Sequence, residues 1–221
     1  LLRELMRYAI ERGYRTDNPV EHVRTMGETP RDRYITDSEL RRIKVHACRG
    51  ADQLDTRSGP MLCALIDMAY LTGQRIGDLL TMEWAQVSDA GVAFKTAKTG
   101  RRVLIEWTPK LRDAIARLRR LRIERQAFTA RVFTTQTGAP YTYSGAHTAW
   151  RRAVKRAGIT GAHFHDLRAK ALTDKEAREG MAAARAMGAH TTEAQTADYV
   201  RQKAARKTRA TRWSERAVRS F

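Results

Sequence analysis

The chain has 221 residues, enough for one domain with a sizeable core, or one domain plus a piece of a neighbour. Lys and Arg number 42 against 24 Asp and Glu; the net charge of +18 favours a polyanionic partner, nucleic acid before all others, over a merely solvated basic surface. No secretory leader pattern occurs, the longest apolar run (residues 61–71) is too short for a bilayer, and Cys48 and Cys63 lack metal-ligand spacing; a membrane-free, cytoplasmic protein with reduced thiols is expected.

Residues 1–12 read as the end of a helix, stopped by Gly13 and followed by an Asn18-Pro19 turn. Residues 28–33 are polar and read as linker. Thr36-Asp37-Ser38-Glu39 is a capping box, so a helix follows to about His46. Residues 61–71 form an apolar helix ended by Gly73, and a further helix covers residues 75–82, placing Arg75 at a helix junction. Strand-like runs at 92–95 and 102–105 flank Lys98-Thr99-Gly100, a hairpin signal. Residues 110–126 form an amphipathic helix with six arginines off its apolar face. Helices are predicted over 144–157, from His163 to about Thr173, over 182–187 and over 193–200, while the stretch from Thr173 to Met187 follows no clear pattern as a whole. The tail, 201–221, holds eight basic residues and one acidic. The sum is mainly α with a small antiparallel β-sheet, an α+β chain without the strand–helix alternation of a doubly wound fold.

Five residues point to phosphate chemistry. Arg75 lies in Thr72-Gly73-Gln74-Arg75, His165 and Arg168 lie in His165-Asp166-Leu167-Arg168, and His190 precedes Thr196 and Tyr199. Breaking a phosphodiester by transesterification needs a nucleophile, cations for the phosphoryl oxygens, a proton acceptor and a proton donor. Two arginines supply planar donor forks, so no metal or other cofactor is expected. Histidine suits proton transfer because its ordinary pKa lies near neutrality. A phenol titrates near ~10 and needs neighbouring cations to become a nucleophile. Its phosphate ester then stores the bond energy, so rejoining needs no ATP. Arg75 could instead cap carbonyls or pair with Asp78, and His165 could merely begin a helix; the joint pattern weighs against both.

The Thr-Gly-x-Arg box, the Lys-Thr-Gly hairpin, the His-x-x-Arg box and the His…Thr-x-x-Tyr box, in this order, resemble the catalytic domain of the phage-type tyrosine recombinases, the integrase family. The resemblance implies that family's DNA breaking–rejoining fold. It implies that residues 1–27 are the C-terminal remnant of a core-binding domain with its linker, 28–205 the catalytic domain and 206–221 a basic tail. That tail, with Trp213, Val218 and Phe221, would fold in cis or reach a neighbouring protomer.

It further implies a role for each residue. Arg75 and Arg168 bind non-bridging oxygens, and Asp78 braces them where the family has Glu. Lys98, preferred over Lys95 at the same turn, protonates the leaving 5′ oxygen. His165 handles the tyrosine proton, His190 hydrogen-bonds the phosphate, and Tyr199 forms a 3′-phosphotyrosyl bond. Expected partners are double-stranded attachment-site DNA, a homotetramer on DNA built from monomers and passing through a Holliday junction, and a directionality factor or host DNA-bending protein. The chain departs from the family's Leu-Gly-His at Gly188-Ala189-His190. A DNA-binding module with weak or no catalysis, or a nicking–resealing enzyme like a type IB topoisomerase, are the alternatives.

Overall fold

The computed structural model describes residues 2–23, 33–96 and 100–200. The chain divides into two units, residues 1–31 and 32–221. The expected boundary at 27–28, the tail from 201 onward and Lys98 itself lie outside the described residues.

In the first unit, helix α1 (Leu2–Glu11) ends at Gly13. The Arg3 guanidinium donates to the carbonyls of Val20 and Val23, and the Asn18 carboxamide oxygen accepts the Val20 N–H at 3.2 Å. That Asx-type turn is what the Asn-Pro pair predicts.

In the second unit, helix α2 (Asp37–Cys48) opens on the predicted capping box: Thr36 accepts from the Glu39 N–H, and the Glu39 carboxylate accepts from the Thr36 N–H. Helix α3 (Gly59–Thr72) is apolar on most sides and correspondingly central, with Leu62, Leu65, Ile66 and Met68 fully buried. It packs against α2, α5 (Pro109–Glu124), α6 (Tyr143–Arg156) and α7 (Asp166–Glu179). Asp67, on the face of α3 nearest solvent, pairs with Lys44 of α2 and Arg117 of α5. Helix α4 (Ile76–Leu80) is shorter than expected, and Arg75 is its N-cap rather than part of it.

A three-stranded antiparallel sheet, ordered β1 (Val87–Ser88), β2 (Gly91–Lys95), β3 (Arg102–Glu106), lies between α4 and α5 in sequence. Val92 and Phe94 are buried, paired to Ile105 and Val103, while Ala93 and Lys95 face outward. The two-residue strand β1 was too short to leave a periodic signal. The base of the β2–β3 hairpin is closed by Thr96 N–H to Arg101 O and Gly100 N–H to Thr96 O, each 2.8 Å.

The stretch that follows no clear pattern resolves into two helices. α7 runs to Glu179 rather than Thr173, and α8 (Met181–Gly188) starts immediately after Gly180. Gly180 has φ +87°, a left-handed conformation that a side chain disfavours, so one glycine separates the polar α7 from the alanine-rich α8. Helix α9 (Glu193–Ala197) is capped by Thr192 and stops short of Tyr199.

α7 is held to α2 and α3 by a buried polar cluster. Lys170, fully buried, sits 2.6 Å from Asp37, 3.1 Å from Asp174 and 2.8 Å from the Tyr34 hydroxyl. Asp174 also accepts hydrogen bonds from Tyr34 and Tyr70, each 2.8 Å. Burial alone would lower the Lys170 pKa, but Asp37, Tyr34 and Asp174 together raise it. Burial, then the bond to Asp174, push the Tyr70 phenol up to about 12. The lysine therefore stays charged and the tyrosine neutral, so α3 and α7, which lead to Arg75 and carry Arg168, are locked by a satisfied network.

Candidate active site

The segment before α7 is fixed from below. The Trp150 indole donates to the Ala162 carbonyl at 3.1 Å and meets the buried Phe164 ring edge-on, with centroids 5.2 Å apart. The Asp166 carboxylate accepts the His163 N–H at 2.8 Å. These contacts leave His165 as the N-cap of α7.

Arg168 lies one turn further on and is only 1% exposed. Its Nη1 donates to the Gly73 carbonyl at 2.6 Å; its Nη2 donates to the Gly188 carbonyl and to His190 Nε2, both at 2.7 Å. One guanidinium thus joins the end of α3, the end of α8 and a site histidine. Gln74 repeats the tie, donating to the Met187 carbonyl at 2.9 Å. The Arg168 Nε–H is buried with no hydrogen-bond partner among the described residues. Burial and then the charge of Arg75 lower the Arg168 pKa to about 10, leaving it cationic near neutrality, with Tyr199 and Asp78 opposing the shift.

Arg75 is half-buried at the α3–α4 junction, and its charge acts on both Arg168 and His190. Asp78 is buried one turn after Arg75. Tyr199 follows α9 and is held by its backbone: its carbonyl accepts from the Thr173 hydroxyl at 3.3 Å. Its hydroxyl lies 3.3 Å from His165 Nε2. Its ring stacks on His190 (centroids 5.1 Å apart, planes 23° apart) and covers the Arg168 guanidinium at 5.2 Å.

His190 is held on both ring nitrogens by protein groups. It is buried, and its Nε2 lies against Arg168 Nη2. Burial first, then Arg168 and Arg75, lower its pKa to about 4, so the ring is neutral near neutral pH. Its Nδ1 lies 3.0 Å from the Thr196 hydroxyl. The departure at Gly188-Ala189 has a physical reading. A Cβ at residue 188 would sit 2.9–3.2 Å from the imidazole, so this position requires glycine. Ala189 has φ +51°, where glycine would be at ease and alanine is strained.

The structure therefore brings Arg168, His165, His190 and Tyr199 into contact and places Arg75 and Asp78 beside them. The contact of Arg101 escaped the sequence reading: from the hairpin base it donates to the His190 carbonyl at 3.2 Å, tying the β2–β3 strand pair to the turn that holds His190. No sequence signal distinguishes it from the many other arginines. Arg101, Arg102 and Arg185 line an open cavity of about 620 Å³ next to His190.

Comparison with known proteins identifies the family and the fold. The model of the phage integrase family matches residues 33–206. The integrase of Escherichia phage HK022 is 34% identical over 107 residues, 48% of this chain and 28% of the relative. A shufflon-specific DNA recombinase of Escherichia coli is 29% identical over 177 residues, 78% of this chain and 41% of the relative. The chain thus spans less than half the length of these curated relatives. Among solved structures, a lambda integrase dimer bound to a COC′ core site superposes with TM-score 0.70 at 21% identity, covering 96% of this chain and 60% of that one. A lambda integrase tetramer bound to a Holliday junction gives 0.71 at 20% identity, covering 96% and 60%. These neighbours share the fold of the tyrosine recombinase catalytic domain, helical with a small antiparallel sheet. By its family match and its fold, the chain belongs to the phage integrase family.

Proposed function

We propose that this domain cuts and rejoins one strand of duplex DNA at a specific site, with Tyr199 as the nucleophile. The observation that carries the reading is the position of the Tyr199 hydroxyl, 3.3 Å from His165 Nε2 and over the buried Arg168 guanidinium. His165 accepts the phenolic proton as Oη attacks phosphorus. Arg75 and Arg168 take the charge that builds on the non-bridging oxygens. The bond to the 5′ oxygen breaks, and Lys98 supplies its proton. The 3′ phosphate remains on Tyr199 until a 5′ hydroxyl attacks it and releases the tyrosine. The phosphoester count is conserved in both steps, so neither step requires ATP, and the arginines fill the charge-stabilising role without a metal. The biological setting is integration or excision of a phage genome, by a tetramer on paired attachment sites that passes through a Holliday junction. The net charge of +18 and the DNA-bound relatives support duplex DNA as the partner.

The test is Tyr199→Phe on a nicked duplex that traps the cleaved strand. The variant should bind the duplex as the parent does and form no covalent protein–DNA adduct. An adduct that persists in the variant would sink the assignment.

A further inference from the structure

Thr196 stands on the segment that carries Tyr199, and its side chain reaches the site through His190. It is fully buried, and its hydroxyl lies 3.0 Å from His190 Nδ1. The proton arrangement between them is forced. A guanidinium offers only N–H donors, so the His190 Nε2 that lies 2.7 Å from Arg168 Nη2 accepts a hydrogen bond. A neutral imidazole that accepts at Nε2 carries its proton on Nδ1. That proton is donated to the Thr196 oxygen, and the hydroxyl hydrogen goes on to the Thr192 carbonyl at 3.4 Å. A directed chain therefore runs from Arg168 through His190 and Thr196 to the cap of α9. With Thr196 fully buried, solvent cannot take over the acceptor role.

We infer that Thr196 is a positioning residue: its hydroxyl, with its hydrogen committed to the Thr192 carbonyl, accepts the Nδ1 proton and so reinforces the His190 tautomer that Arg168 requires, so that seating the nucleophile segment also sets the phosphate clamp. Thr196 and Tyr199 are joined by a hydrogen bond from the Tyr199 N–H to the Thr196 carbonyl at 2.9 Å. A Tyr199 segment that leaves the site takes the acceptor for Nδ1 with it. His190 is then free to adopt its other tautomer, whose Nε2–H opposes the Arg168 donor. The guanidinium loses one of its three anchors exactly when no nucleophile is present. The inference rests on the reading that Tyr199 performs transesterification at this site.

The experiment compares the 221-residue chain with Thr196→Val, which keeps the shape and removes the hydroxyl, and with Thr196→Ser, which restores it. Two quantities are read: the protonated ring nitrogen of His190 by NMR of protein labelled with nitrogen-15 in histidine, assigned through His190→Gln, and the rate of adduct formation on a nicked trapping duplex. The parent should carry its proton on Nδ1. Thr196→Val should mix the tautomers and slow adduct formation roughly tenfold to a hundredfold, the penalty of a misplaced charged group, with duplex affinity unchanged. Thr196→Ser should return both readouts to the parent's. If the valine variant does not fold, Thr196→Ala is measured in its place. A valine or alanine variant with the parent's tautomer and rate overturns the inference, as does a fall in rate with no change of tautomer. If the parent itself forms no adduct, the transesterification reading fails, and the tautomer of the variants still decides whether Thr196 governs His190.

Discussion

Two histidines flank Tyr199, and the regions that hold them are built differently. His165 stands at the start of α7, exposed on the side of the tyrosine hydroxyl and 3.3 Å from it, with its backbone fixed by Trp150, Phe164 and Asp166. His190 stands in the buried turn between α8 and α9, stacked on the tyrosine ring, with both ring nitrogens engaged by Arg168 and Thr196. On the proposed reading, one residue type thus serves two purposes. An imidazole with a nitrogen turned to the nucleophile can exchange a proton with it; an imidazole satisfied on both sides is a strut that aims an arginine.

The comparison breaks most sharply under paired substitution. His165→Ala should slow adduct formation by about 10²- to 10⁴-fold, the usual worth of a positioned proton acceptor, and leave the melting temperature unchanged. His190→Ala should slow it as well but also destabilise the domain by about 1–3 kcal/mol, because Arg168 and Thr196 each lose a buried partner. Rate assays and thermal melts of both variants decide the matter, and equal melting temperatures would contradict the division of labour.

Acid should act on the second region through the linkage of its histidine. His190 has a pKa lowered to about 4 in the folded protein against an ordinary value near ~6.5, so between these values the unfolded chain binds the extra proton. Its contribution is therefore fully present above pH ~6.5 and is lost as pH falls toward 4, by no more than about 3 kcal/mol. Denaturation of the parent and of His190→Gln across this window should give curves that converge as the pH drops. Parallel curves would remove His190 from the account.

The smallest effect concerns the strain beside His190. Ala189→Gly should stabilise the turn by up to about 1 kcal/mol, since glycine adopts φ +51° without the alanine penalty. A rise of a few degrees in the thermal midpoint, with adduct formation equal or faster, is the expected outcome.

Much of the geometry of this candidate site was legible in the sequence because its residues are set at short spacings. His165 and Arg168 lie one helical turn apart, Arg75 sits at a helix junction marked by Gly73, and Thr196 and Tyr199 share one segment. The helices were legible where a cap or periodicity marks them, as at Thr36-Glu39 and along α5. What escaped depends on contacts between distant parts of the chain. The Arg168 anchors are backbone carbonyls at Gly73 and Gly188, which leave no trace in residue type. The tautomer of His190 follows from which atom faces which partner, and Arg101 is one arginine among many. The extension of α7 to Glu179 was hidden because its side toward α3 is made polar by Lys170 and Asp174, whose burial is offset by Tyr34, Tyr70 and Asp37.

The central claim is that a phosphodiester is transferred to Tyr199. Its most direct test is to incubate the parent protein with a nicked trapping duplex, digest the adduct and locate the nucleotide-bearing residue by mass spectrometry. The account predicts a single modified peptide with the 3′ phosphate on Tyr199. A nucleotide on any other residue, or no adduct on duplexes that the protein binds specifically, would contradict it.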